Sequence, residues 1–225
     1  MKEFVIGDIH GAHKALVQCL QFADFDYDAD LLICLGDICD GFPDVPACMD
    51  ELLKIKNLVL LMGNHDQWFL EWAAGGKVSE AWYHQGGKRT IESYDQRPPA
   101  SHTALLQAAR GYYLMGQDLF VHGGMEPGVP LNEQDPHTLM WDRKLVMEAF
   151  AKKDKPENIS GYERVFVGHT PTIRFKSLLP LQLCEIILMD TGAGWGQKLS
   201  ILELATGKVF QSDTTESLYG VSFTR

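Results

Sequence analysis

Short apolar runs recur along this chain, and five of them stop abruptly at a cluster of polar residues. Phe4-Val5-Ile6 runs into Gly7-Asp8-Ile9-His10-Gly11, and Leu31–Leu35 into Gly36-Asp37-Ile38-Cys39-Asp40. Leu58–Met62 runs into Gly63-Asn64-His65-Asp66, Leu119–Val121 into His122-Gly123-Gly124, and Val165–Val167 into Gly168-His169-Thr170. Apolar stretches of this length, bounded by Gly and polar residues, predict buried strands. In the first third they alternate with helical patterns: strand 3–6 with a helix near 12–23, strand 30–35 with one near 44–55, and strand 57–62 with one near 66–74. That alternation predicts a layered α/β sheet.

From Gly75 to Gly116 the pattern changes to helical segments and turns, punctuated by Gly75-Gly76, Gly86-Gly87 and Pro98-Pro99. This segment, about 75–116, reads as a helical insert lying over one side of a single domain spanning 1–225. Strands resume at 118–121, 164–168 and 185–190, and Lys198–Leu204 with Lys208–Gln211 reads as a hairpin closed at Gly207. The expected class is α/β (α+β): two mixed β-sheets packed as a sandwich, the second more antiparallel, with helices on the outside.

Composition changes this picture little. The apolar and charged fractions, 45% and 22%, are those of an ordinary globular protein. No apolar stretch is long enough to span a bilayer, and Met1–Ile6 leads straight into the first cluster, leaving no room for a signal peptide. The five cysteines show no Cys-x-x-Cys pair, which points to a reduced, cytoplasmic protein. The formal charge of −10 argues against bulk binding of nucleic acid. A small phosphorylated substrate stays compatible, because bound cations would reverse the local potential. Oligomeric state is not readable.

Side chains just past the carboxyl ends of strands in one sheet converge on a common crevice. Asp, His and Asn brought together there suit divalent cations such as Mn²⁺, Fe²⁺ and Zn²⁺. Two cations ~3.5–4 Å apart need a shared anionic ligand, and Asp37 is placed to bridge. Asp8 and His10 would close on one metal, with Asn64, His122 and His169 on the other. Singly, each has a plainer reading: a Gly-Asp pair is often a turn, and a lone histidine is often a hydrogen-bonded core residue. Asp66, just before a helix, reads as an N-cap, and Asp190 as a structural holder of loop amides. His13, His84, His102 and His137 read as surface or capping residues.

Taken together, Gly7-Asp8-x-His10-Gly11, Gly36-Asp37-x-x-Asp40, Gly63-Asn64-His65, His122-x-Gly124 and Gly168-His169-Thr170-Pro171 resemble the calcineurin-like metallophosphoesterases. Within them the chain looks most like the phosphoprotein phosphatase branch in its bacterial and lambda-phage-type form. Trp82–Thr90, Thr138–Arg143 and Met189-Asp190-Thr191-Gly192 resemble further segments of that branch, with Gln85 at the position of a family asparagine. The resemblance implies the same metal ligands, with His65 as general acid, Asp40 hydrogen-bonded behind it, and Arg143 and Asn64 facing the substrate phosphate. It implies two divalent metal ions, manganese foremost, and a nucleophilic hydroxide held between them. The implied activity is phosphomonoester hydrolysis by a Ser/Thr-type protein phosphatase, acting on a phosphorylated protein, peptide or small phosphoester.

Two departures matter. Gly41 follows Asp40 where the branch has an arginine that grips phosphate, and one such charged contact is worth roughly 1.5–3 kcal/mol. Lys88, Arg89 or Arg97, in the insert, could take its place. Asp66 stands where protein phosphatases carry Glu, which looks more like the symmetrical diadenosine tetraphosphate hydrolases. Hydrolysis of a dinucleoside polyphosphate is therefore the alternative reading.

Overall fold

The computed structural model describes residues 1–95 and 97–220. Its first sheet begins with β1 (Glu3–Ile6), followed by helix α1 (His13–Phe22), β2 (Leu31–Cys34), α2 (Val45–Leu52), β3 (Asn57–Leu60) and α3 (Asn64–Ala73). The next segment carries α4 (Glu80–Trp82), a π-helical turn Tyr83–Gly87, α5 (Lys88–Ser93) and α6 (Ala100–Gln107). The second sheet follows as β4 (Tyr112–Met115), β5 (Asp118–Val121), α7 (Pro136–Trp141), α8 (Lys144–Ala151), β6 (Arg164–Val167), β7 (Leu181–Leu183) and β8 (Ile186–Leu188). The described chain closes with β9 (Lys198–Glu203), β10 (Val209–Thr214) and α9 (Thr215–Tyr219).

Strand order is β10-β9-β1-β2-β3 in one sheet and β4-β5-β6-β8-β7 in the other. Each sheet has a parallel trio, β1-β2-β3 or β5-β6-β8, extended by antiparallel neighbours. This corrects two expectations. The second sheet is no more antiparallel than the first, because the β9–β10 hairpin pairs with β1 rather than with the later strands. The segment 75–116 is not helical throughout: its end forms β4, an edge strand on β5.

The strands are apolar at nearly every position because both faces are covered. On β1, Val5 turns to the sheet–sheet interface with Ile33, Leu61, Phe120, Phe166 and Ile187. Its neighbours Phe4 and Ile6 turn outward to pack under the helices with Leu16, Cys19 and Phe69. Phe120 and Phe166 repeat this alternation in the second sheet, where they are register partners on β5 and β6 and stack side by side with centroids 4.8 Å apart. Leu119, Val121, Val165 and Val167 face α7 and α8 instead. All five cysteines are free, and four are buried. Among the described residues no helix is long and apolar enough to cross a membrane.

Candidate metal centre and acid pair

Parallel register brings the polar clusters together. Ile6 pairs with Cys34 and Cys34 with Leu60, so the loops carrying Asp8, Asp37 and Asn64 leave one edge of the first sheet side by side. Val121, Val167 and Leu188 are aligned in the same way, delivering His122, His169 and Asp190 from the second sheet. The two edges meet at a cavity of about 450 Å³, lined on one side by Asp8, His10, Asp37, Asn64 and His65. The loops are held at close quarters: the amides of Ile9 and His10 both donate to the Asp37 carbonyl. Backbone strain concentrates here. Of seven non-glycine residues with positive φ among those described, four are His10, Asp37, Asp40 and His169, at 50–71°. Left-handed backbone costs a non-glycine residue about 1 kcal/mol or more, and such strain tends to mark functional sites.

The imidazoles are oriented so that their free lone pairs face carboxylates. His10 Nδ1 lies 3.1 Å from the Cys39 carbonyl, His122 Nδ1 2.8 Å from that of Leu35, and His169 Nε2 3.1 Å from that of Trp141. A carbonyl only accepts, so each of those nitrogens carries a proton, and the other nitrogen is the one available to a cation. His122 Nε2 then sits 3.4 Å from Asp37 Oδ1 and 3.1 Å from Asn64 Oδ1. His10 Nε2 sits 3.8 Å from Asp37 Oδ2 and 4.0 Å from Asp8 Oδ2. Such a convergence of acceptor atoms is stable only with positive charge among them, whether a cation or a proton.

Ionisation behaviour agrees. Burial, then the charges of Asp190 and Asp37, pushes the Asp8 carboxyl well above the ordinary aspartate range. His122 responds in the opposite sense: burial works against its charge, but the Asp37 carboxylate pushes it up to about 10. His169 is pushed down to about 3 by burial and by His122 and Arg143, leaving it neutral and suited to be a ligand.

The donor atoms form two groups, each within 4.8 Å: Asp8, His10 and Asp37, and Asp37, His122 and His169. Asp37 belongs to both. Carboxylate, imidazole and the adjacent Asn64 amide oxygen together suit a pair of divalent cations.

Beside this centre stands a second arrangement. His65 Nδ1 donates to Asp40 Oδ2 at 2.6 Å, while its Nε2 faces the cavity 4.0 Å from Asp37 Oδ2. Asp40 is fully buried. Trp82 Nε1 donates to the same oxygen at 2.7 Å, and the Thr90 hydroxyl to the other at 2.6 Å. The turn between α4 and α5 makes this fit possible: Gly86 has φ +110°, and a Cβ there would stand 2.6 Å from the Gly41 nitrogen. Trp68 packs edge-on against both His65 and Trp141. Arg143, after α7, lines the cavity and reaches the His169 carbonyl at 3.4 Å; its buried Nε has no hydrogen-bond partner.

Several expectations change. Asp66 is not the N-cap but the third residue of α3, which starts at Asn64 with Gly63 as cap. Its buried carboxylate accepts from the amides of Gly63, Ile38 and Cys39, clamping the Asp37 loop to the helix. Asp190 does hold a loop amide, that of Gly192, but it also lines the cavity. His102 is no surface residue: it is buried between Tyr94 and Asp50, tying α6 to α2. Lys88, Arg89 and Arg97 do not line the cavity, whereas Arg174 and Trp195 do. Asp190 stands out in the sequence because it too ends an apolar run, but its place on the cavity wall is not expected from it. Arg174 and Trp195 lie on single 3₁₀ turns in the connections after strands, too short to leave a periodic signal.

The sequence profile of the calcineurin-like phosphoesterases matches residues 1–192. A serine/threonine-protein phosphatase 1 from Salmonella typhimurium is 27% identical over 217 residues, 89% of this chain and 91% of that protein. A symmetrical bis(5'-nucleosyl)-tetraphosphatase from Nitrosomonas europaea is 33% identical over 76 residues, 33% of this chain and 28% of that protein. A solved structure named as a candidate diadenosine tetraphosphatase superposes with a TM-score of 0.70 at 17% identity, over 93% of this chain and 92% of its own.

Proposed function

This chain belongs to the calcineurin-like phosphoesterase family, and within that family of hydrolases we propose that it is a phosphomonoesterase of the Ser/Thr protein phosphatase type. The observation that carries the reading is the His65–Asp40 pair, whose free imidazole nitrogen opens onto the carboxylate and imidazole cluster. Asp8, His10 and Asp37 would hold one divalent cation, and Asp37, Asn64, His122 and His169 the other. When bound, such a pair supplies Lewis-acid charge to a phosphoryl group and acidifies water at the site.

The chain's own residues supply the rest. Arg143 presents a guanidinium fork toward the cavity, a shape matched to phosphate oxygens. Asn64 lines the same wall. His65, with Nδ1–H fixed on Asp40, is oriented to deliver a proton from Nε2 to a leaving alkoxide. Asp40 fixes the tautomer and the orientation of the ring through the hydrogen bond it accepts from Nδ1. Relatedness to the Salmonella phosphatase over nearly the full length of both chains supports a phosphoprotein substrate.

A second reading, hydrolysis of a dinucleoside polyphosphate, is favoured by Trp141 and Trp195 on the cavity wall, which offer faces for a planar base. The local similarity to nucleosyl tetraphosphatases points the same way. Rates on a phosphoserine peptide and on diadenosine tetraphosphate, with Mn²⁺ supplied, separate the two. A faster rate on the dinucleotide overturns the protein phosphatase assignment.

A further inference from the structure

Two guanidinium groups line the cavity, Arg143 and Arg174, and the chemistry above uses only the first. Arg174 sits on a single 3₁₀ turn, Thr172–Phe175, immediately beyond the loop that carries His169. The turn is well anchored. The buried Thr172 donates its amide to the Asp190 carbonyl at 2.8 Å and its hydroxyl to the Ser177 carbonyl at 3.0 Å. Arg174 itself is exposed and makes no ion pair with a carboxylate among the described residues.

Both guanidinium groups border the same space, so two like charges repel across one cavity, and the buried Nε of Arg143 has no hydrogen-bond partner. An anion with several oxygens relieves that repulsion, and a phosphoryl group does so with the geometry that guanidinium forks favour.

Among the described residues no other lysine or arginine lines the cavity: the lysines and arginines of the 75–116 segment lie off it, and Lys88 faces Glu92 at 3.7 Å. Resting on the phosphoesterase reading, we infer that Arg174 is a second phosphate grip. It binds non-bridging oxygens of the same phosphoryl group as Arg143, from the loop after β6, in a chain whose position 41 is glycine.

The test uses the Mn²⁺-loaded protein, with Arg174→Ala, Arg174→Lys and, as a control off the cavity, Arg97→Ala. For p-nitrophenyl phosphate, Arg174→Ala should raise KM roughly 10- to 100-fold, the loss of one charged contact. It should leave kcat within about threefold, as expected for binding shared by ground and transition states. The inhibition constant of inorganic phosphate should rise by the same factor. Arg174→Lys should recover part of the loss, and Arg97→Ala should match the parent. KM and phosphate inhibition both within about twofold of the parent in Arg174→Ala would overturn the inference. Should the parent itself fail to hydrolyse the ester, the phosphoesterase reading falls, and calorimetric titration with inorganic phosphate still decides the role of Arg174. A parent that binds phosphate at least tenfold more tightly than Arg174→Ala sustains it, and equal affinities overturn it.

Discussion

His65 and Asp40 are joined by a 2.6 Å hydrogen bond, and each oxygen of that carboxylate also accepts from a further donor. Trp82 and Thr90 approach from the segment that covers Asp40, so the orientation of His65 is set by residues far from it in sequence. The pair is therefore built as a rigid unit beside the donor cluster. If His65 is the proton donor, replacing it by Asn should lower kcat by about 10²–10⁴. Metal content, measured by elemental analysis, should stay near that of the parent because the cluster donors are untouched. Unchanged turnover would remove His65 from the mechanism.

Trp82→Phe and Thr90→Val each remove one donor from a fully buried carboxylate. Leaving a buried charged group short of a partner costs roughly 1–3 kcal/mol. Both variants should unfold at lower denaturant concentration than the parent, and both should lose activity through the looser imidazole. A variant with unaltered stability would show that water replaces the missing donor.

Gly86→Ala tests the close approach of the covering segment. The position has φ +110°, and the added methyl would meet the Gly41 backbone. Strain and overpacking together should cost on the order of 2–4 kcal/mol, visible as a lower midpoint in thermal melts. A neutral effect would mean that α4 and α5 shift freely over Asp40.

Removing divalent cations with a chelator should abolish hydrolysis and also lower the melting temperature. The carboxylates of Asp8, Asp37 and Asp190 are buried together, and a cation that binds only the folded state stabilises it by RT ln(1 + [M]/Kd), about 2.7 kcal/mol at a hundredfold excess over Kd. Asp37→Asn should erase most of that metal-dependent gain, because Asp37 is common to both donor groups. A melting curve indifferent to Mn²⁺ would sink the metal assignment.

Away from the site, Glu51 gives a pH signature. Burial works against its charge, but hydrogen bonds from Lys54, Tyr27 and His13 outweigh it and hold the carboxyl below the ordinary glutamate range. A depressed folded-state pKa adds stability that is present above the unfolded pKa and is lost as pH falls through the folded one. Glu51→Gln should therefore reduce stability at neutral pH and lose that deficit in acid, below about pH 4. Parallel stability profiles for the two proteins across that range would contradict it.

Much of this was legible from residue order alone. Five apolar runs ending in Asp, His or Asn are a local pattern, and strands with both faces buried announce themselves by uninterrupted apolar residues. Asp8, His10, Asp37, Asn64, His122 and His169 could be named because each sits one to four positions past such a run. Helix starts were less legible: Asn64 and His65 are already helical, because Gly63, not Asp66, caps α3.

Linear order thus determined which candidate donor residues the chain carries and at which end of which strands they lie, since strand pattern and strand-end position are short-range properties of the backbone. Only the tertiary structure decided what shares the cavity. Arg174 and Trp195 reach it because a parallel sheet delivers the loops after β6 and β8 to the same edge as His122. His102 is buried because α6 docks on α2. The hairpin 198–214 joins β1, not the later strands, and there Leu199 and Ile201 are buried under the helices while Leu202 turns to the other sheet.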